Sequence, residues 1–170
     1  YFEAYDFINL MSDEDENDDS IYIKALVLNR CENFSQSESY ISSKLTKLDK
    51  RSSLYFKLSL IHMMNLIQLE QREDARIIFE ELKLHTQEPL YPYLIRLSNV
   101  FHRDLKERLA VVESITDDFY QSNDNEFSGL HAIYLAYLYA LTKQPKLAEQ
   151  SLSAARDYFG DNLIYNHMIL

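Results

Sequence analysis

The residues of this chain with the most obvious capacity for chemistry are an acidic run near its start. Asp13, Asp15 and Asn17 follow the Asp-x-Asp-x-Asn opening of a calcium loop. That loop then needs a glycine and a later glutamate, and Asp18 and Lys24 stand at those two positions. The failed match predicts a solvated acidic loop and no cation site.

The 5 histidines come from different stretches of the chain and never pair at helical spacing. His62 lies in an apolar run, where a core histidine is far more common than a metal ligand. The sequence also has no His-Glu-x-x-His, no phosphate-binding glycine loop and no Gly-x-Ser-x-Gly turn. It therefore predicts no metal, no cofactor and no enzymatic activity. A deep pocket that encloses His62 or His102 beside a carboxylate would reopen the possibility of an all-α enzyme.

Composition favours helices and disfavours nucleic-acid or membrane binding by this segment. With 2 glycines and 3 prolines in 170 residues, the chain cannot supply the turns of β-proteins or of parallel α/β sheets. The net charge is −10, but eight acidic residues fall within positions 1–20, so the remainder is nearly neutral. That remainder lacks the basic surplus of nucleic-acid binders. No run approaches the roughly 20 apolar residues of a membrane span.

The sequence is compatible with two cellular compartments. A single cysteine, Cys31, is typical of reducing compartments, which makes the cytoplasm the default. The chain opens at Tyr1 inside an apolar pattern, so a removed signal or membrane anchor would instead place it in the periplasm.

Apolar residues recur with a period near 3.6, which predicts a series of helices. Pro145 suits the first turn of one helix, and Gly160 suits its C-cap. An acidic loop at 13–19 separates the first two helices. The predicted helices span about 2–12, 20–32, 36–49, 53–69, 71–85, 90–102, 104–121, 126–142, 145–159 and 162–169.

The helices come in pairs, with small and bulky residues at recurring positions. In a unit that starts at Gly129, Ala136 and Ala148 occupy positions 8 and 20, and Tyr139 and Leu152 occupy positions 11 and 24. This pattern resembles the tetratricopeptide repeat (TPR), in which small residues let paired helices approach and bulky residues fill the space between them. Earlier units repeat it with Ala25, Leu28, Ser37 and Ile41, with Met63, Leu66, Ala75, Phe79 and Leu82, and with Leu97, Ser98, Phe101 and Ala110.

The resemblance implies an all-α, TPR-like domain over 1–170, in which antiparallel helix hairpins stack as a right-handed α-solenoid. Its repeats span about 18–55, 56–90, 91–128 and 129–160, stretched beyond the family's 34 residues. The third departs further, because Asp117 stands at its apolar position 27. Residues 1–12 fit a preceding partial unit and 161–170 a terminal helix. Because both ends are apolar, we expect a fragment of a longer protein, or self-association through these ends.

In TPR proteins the first helices of the pairs line a concave groove, and the resemblance implies which side chains face it. Arginine and asparagine can bind a carboxylate or a peptide backbone, and tyrosine and methionine add apolar contacts. The predicted function is a protein- or peptide-binding scaffold whose partner includes an acidic segment. The alternative is a sensory or regulatory ligand-binding domain of a larger bacterial signalling protein. The groove residues are Arg30, Lys57, Met64, Arg96, Asn99, Arg103, Tyr134 and Tyr137.

For these side chains a simpler interpretation also stays open. Exposed arginines and lysines on helices are usually solvating groups. Tyr134 and Tyr137 can equally be bulky packing residues whose hydroxyls reach water.

Overall fold

A computed structural model describes residues 17–121 and 124–160. These residues form helices and irregular connections without any strand, which confirms the all-α class for the described part of the chain. The predicted helices at 2–12 and 162–169 lie outside the described residues, as does most of the acidic loop. The helices are α1 (Asp18–Arg30), α2 (Phe34–Leu45), α3 (Ser53–Gln68), α4 (Arg72–Leu82), α5 (Tyr91–Ser98), α6 (Leu105–Glu113), α7 (Thr116–Tyr120), α8 (Asn125–Leu141) and α9 (Pro145–Phe159), and a 3-10 turn, η1 (Asn99–Phe101), follows α5.

The chain divides into two compact units between Leu94 and Ile95, within α5. In the first unit α1, α2 and α3 contact one another, and α4 packs on α3. In the second unit α8 is central, because α6, α7 and α9 all pack against it. This division falls inside the third predicted repeat and matches none of the predicted repeat junctions.

The start of α1 differs from the sequence expectation. Asp18 and Asp19 were expected in the acidic loop, but they form the first turn of the helix. Asn17 caps this turn by accepting a hydrogen bond from the Ser20 amide, and the Ser20 hydroxyl accepts one from the Asn17 amide. Negative charge is favourable at a helix N-terminus, so the two aspartates stabilise the turn that they were expected to precede.

The core of the first unit lies between α1, α2 and α3. It is formed by five buried residues, Ala25, Ile41, Leu54, Leu58 and Ile61. Partly buried apolar side chains surround this cluster, namely Ile21, Tyr22, Leu26, Tyr40, Leu45 and Leu48.

A buried polar network joins the same three helices. The Ser37 hydroxyl donates to the Ala25 carbonyl at 3.1 Å, so these two small residues bring α1 and α2 together as the sequence predicts. The Asn65 amide donates to the Ser37 hydroxyl at 2.9 Å, and the Asn29 amide donates to Asn65 Oδ1 at 2.8 Å. Because each buried polar group finds a partner, the network costs little in desolvation and fixes how the helices fit.

In the second unit α8 and α9 form a close antiparallel pair. Ala132, Ala155 and Phe159 are buried in the cluster between them. Pro145 occupies the first turn of α9, and Gly160 is its C-cap with a φ of 53°, as the sequence predicts. Proline lacks an amide that this first turn would leave unpaired, and glycine tolerates positive φ.

The helix predicted over 104–121 is broken into α6 and α7 at Ser114 and Ile115. The Ser114 hydroxyl donates to the Val111 carbonyl, and the Thr116 hydroxyl donates to the Val112 carbonyl. Hydroxyls that bond back onto a helix in this way compete with its own hydrogen bonds. The break leaves Ile115 buried, with only 5% of its surface exposed.

The third predicted repeat also buries residues other than those expected. Ala110 was expected at a helix–helix contact but is exposed, whereas Leu109 and Val112 are buried against α8. The small-residue positions Ala25, Ser37, Ala75, Ala136 and Ala148 are buried in the other three predicted repeats.

Candidate partner-binding surfaces

The predicted groove residues fall in both units, and each unit carries its own candidate surface. Arg30, Lys57 and Met64 belong to the first unit. Arg96, Asn99, Arg103, Tyr134 and Tyr137 belong to the second.

In the first unit, Lys57 and Arg30 gather around Tyr22. The Lys57 ammonium lies 5.3 Å from the centre of the Tyr22 ring, a cation–π contact between α3 and α1. Burial raises the pKa of Tyr22, and the nearby Arg30 charge partly opposes that rise. Met64 is partly exposed two helical turns after Lys57, on the same face of α3. We call Tyr22, Arg30, Lys57 and Met64 the first-unit surface.

In the second unit, two tyrosines of α8 form an aromatic platform. The rings of Tyr134 and Tyr137 are 6.3 Å apart with an interplanar angle of 24°, so they stack. Tyr137 is 57% exposed, and Leu141, one turn later, is 44% exposed. Large apolar groups are therefore presented to solvent along one face of α8.

A hydrogen bond to the buried Asn99 fixes the Tyr134 side of the platform. The Tyr134 hydroxyl donates to Asn99 Oδ1 at 2.6 Å. The Asn99 amide in turn donates to the Arg96 carbonyl, a local bond within the end of α5 and η1. Asn99 is only 4% exposed, so it supports Tyr134 and does not itself face a partner. The sequence expectation placed Asn99 itself in the groove.

The arginines of the second unit take different positions. Arg103 is exposed in the connection before α6. The Arg96 guanidinium lies 5.5 Å from the centre of the Phe119 ring, over a side chain that is itself buried. Arg96 therefore packs on an aromatic ring of the unit's interior. The assignment of Arg96 to the groove did not predict this contact.

Arg108 was not predicted, yet it belongs to the surface. Its Nε donates to the His102 carbonyl at 2.7 Å. Burial raises the pKa of Tyr134, and the Arg108 charge is the largest influence that opposes the rise. The repeat pattern gave no signal for Arg108, because it assigns this residue to a second helix. We call Tyr134, Tyr137, Leu141 and Arg108 the second-unit surface.

His62 and His102, the histidines whose enclosure beside a carboxylate would suggest an enzyme, each lie near a glutamate. His102 Nδ1 is 3.3 Å from Glu107 Oε2, and the two side chains are 38% and 64% exposed. His62 Nε2 is 4.0 Å from Glu38 Oε1, and burial lowers the pKa of this histidine. Within residues 17–121 and 124–160 no cluster of three or more histidine, cysteine or acidic side chains is arranged to hold a metal.

No helix of the described residues is both long and apolar enough to span a membrane.

Comparison with known proteins assigns no role to either surface. No family model matches the chain, and no curated protein sequence matches it significantly.

Proposed function

We propose that this chain is a protein- or peptide-binding scaffold built from TPR-like antiparallel helix pairs. The observation that carries the proposal is the Tyr134–Tyr137 platform, which is exposed at one end and hydrogen-bonded to a buried asparagine at the other. Tyrosine and arginine are among the residue types most enriched at the positions that dominate binding energy. A platform fixed before binding loses little conformational freedom when a partner arrives.

The first-unit surface supports the same function with different chemistry. Lys57 and Arg30 place two positive charges around the ring of Tyr22. A partner with a carboxylate and a flanking apolar side chain would complement these charges and the adjacent Met64. The proposed partner is therefore a polypeptide with an acidic segment, bound noncovalently and without catalysis.

The helix packing supports the solenoid part of the proposal. Small residues are buried at the contacts of paired helices in both units, at Ala25 and Ser37 and again at Ala136 and Ala148. Paired helices that each bury only one face need further pairs to cover the other, which is the physical basis of stacked helical repeats.

The test is selection of binding peptides from a display library on the whole protein, followed by affinity measurement on single variants. We expect Tyr137→Ala to weaken the binding of peptides that use the second-unit surface by at least tenfold, the usual loss at an aromatic residue central to an interface. Leu147→Ala is the matched control, because Leu147 is an apolar side chain of comparable exposure, 39%, on a different helix, α9. Lys57→Glu tests the first-unit surface, with the exposed Lys146→Glu as its control.

Equal losses in Tyr137→Ala and Leu147→Ala would show that binding does not use the platform. Retention of every selected peptide by both Tyr137→Ala and Lys57→Glu would contradict the proposal altogether. Fluorescence anisotropy of labelled peptides gives the dissociation constants for both comparisons.

A further inference from the structure

His131 is the centre of the contact between α7 and α8. It lies on α8 and is 0% exposed. Its Nε2 is 3.1 Å from the Thr116 hydroxyl, and its ring stacks on Phe119 with 4.5 Å between centroids. Tyr120 meets the same ring edge-on at 6.3 Å. All three partners belong to α7.

The helix that His131 contacts has little stability of its own. It has 5 residues, far fewer than a helix needs to persist alone in water. Besides His131, the Ser128 hydroxyl of α8 holds it by donating to the Phe119 carbonyl at 2.7 Å. The position of α7 therefore depends on its contacts with α8, and His131 provides several of them.

The surroundings of His131 accommodate a neutral imidazole and disfavour a charged one. Nδ1 is buried and has no hydrogen-bond partner among the described residues. The Thr116 hydroxyl, which also bonds the Val112 carbonyl, is the neighbour of Nε2. A protonated ring carries two N–H donors and would need a second acceptor. A buried donor without an acceptor, on a charged group, is strongly destabilising.

Among the charged and titratable groups around His131, the Arg96 charge reinforces this preference. From α5 the Arg96 guanidinium packs on the other ring of the stack, Phe119. Tyr120 from α7 and Tyr158 from α9 lie 5.4 Å apart as ring centroids and supply phenols. Asp117 and Asp118 of α7 are exposed to solvent. Burial, and secondarily the Arg96 charge, lower the pKa of His131 to about 3.

We propose that His131 is an acid-sensitive latch, and that its protonation releases α7 from α8 while the rest of the second unit stays folded. The proposal does not depend on either partner-binding surface. Release exposes the imidazole to water, where it can accept a proton without a buried partner. Acid therefore shifts the opening equilibrium of α7 and leaves the closed form unprotonated.

The size of the effect follows from linkage between opening and protonation. The released imidazole has the ordinary pKa of 6.5, and the closed one is near 3. At pH 4.5 the open form is therefore favoured about 100-fold more than at pH 7.5. The dependence vanishes when position 131 carries no titratable group.

Amide hydrogen exchange of the whole protein tests the latch, because protection factors divide out the intrinsic pH dependence of exchange. The reporters are the amides of Phe119 in α7 and of Gln121 at its C-cap, which donate to the Ile115 and Asp117 carbonyls. We expect their protection to fall by about two orders of magnitude from pH 7.5 to pH 4.5, with little change in the middle of α9. An equal fall in α7 and α9 would mean general acid unfolding and would overturn the latch.

Substitutions test whether the acid response of α7 depends on His131. His131→Leu replaces the imidazole with an apolar side chain of similar size and is expected to abolish the acid-induced loss of protection in α7. His62→Gln removes the partly buried histidine of the first unit and is expected to leave that loss unchanged. An α7 response that survives in His131→Leu would refute the role of His131.

The wild-type protein provides a test that needs no variant. In NMR spectra the His131 imidazole of the closed form should show no titration between pH 7.5 and pH 4.5. A folded-state His131 that titrates near pH 6.5 would overturn the proposal, even if the leucine variant failed to fold.

Discussion

At the scale of single residues, Gly129 shows how packing reverses an intrinsic preference. Glycine inside a helix ordinarily costs about 1 kcal/mol relative to alanine. Inside α8, however, a Cβ at position 129 would stand 2.5 Å from Cζ of Phe159. Phe159 is 7% exposed and packs against Ala132 and Ala155, so its ring has little room to move. The close approach of α8 and α9 requires the glycine.

We therefore expect Gly129→Ala to lower the free energy of unfolding by roughly 1–3 kcal/mol, because the overpacking outweighs the gain in helix propensity. Urea unfolding followed by circular dichroism measures the change. In the Phe159→Leu background the same substitution should cost clearly less, since the ring is gone. A stabilised Gly129→Ala protein would show that the Phe159 ring yields without cost.

At the scale of helices, the contacts between paired helices depend on small residues whose burial differs among the repeats. Ala148 and Ala136 are 8% and 4% exposed. Ala110 carries the same side chain at the equivalent predicted position but is exposed. The three alanines thus separate the effect of position in the repeat from the effect of actual burial.

Ala148→Leu and Ala136→Leu should each destabilise the protein by roughly 1–3 kcal/mol through overpacking. Ala110→Leu should change stability by less than about 0.5 kcal/mol, as is usual for exposed positions. Thermal and urea unfolding of the three variants give the comparison. Equal losses in all three would contradict the exposed position of Ala110 on α6.

At the scale of the whole molecule, each unit contains a histidine whose pKa is lowered by burial. Burial lowers the pKa of His131 to about 3. For His62, burial lowers the pKa, while Glu38 and Asp74 oppose the shift. A histidine with a lowered folded-state pKa binds its proton more tightly when unfolded. Its contribution to stability is present above pH 6.5 and is lost as the pH falls towards the folded-state pKa.

We therefore expect the free energy of unfolding to fall between pH 7 and pH 5, a range above the titration of most carboxylates. His131 alone accounts for about 2 kcal/mol of this fall, and His62 adds to it in the same direction. Urea unfolding at the two pH values measures the loss, and His131→Leu should remove most of it. Stability that is constant or higher at pH 5 would show that both histidines are solvated in the folded protein.

The sequence by itself determined the features that depend on near neighbours along the chain. Helical periodicity gave most helices within a few residues, and Pro145 and Gly160 marked the ends of α9. The repeat spacing predicts a helix contact at Ala25 and Ser37, and a hydrogen bond joins these two residues in the structure. These features follow from local backbone preferences and from the repeat spacing, both of which can be read in the order of residues.

Only the tertiary structure decided which side chains meet between distant segments. Asn99 was expected in a groove. In the structure it is buried and accepts a hydrogen bond from the hydroxyl of Tyr134 on α8. Arg108 is held in the second-unit surface by the hydrogen bond that its Nε donates to the His102 carbonyl, directly after η1. His131 gains its partners because the break before Thr116 turns α7 towards α8. The free energy of each contact depends on desolvation and on neighbours brought together by packing, which spacing along the chain does not specify.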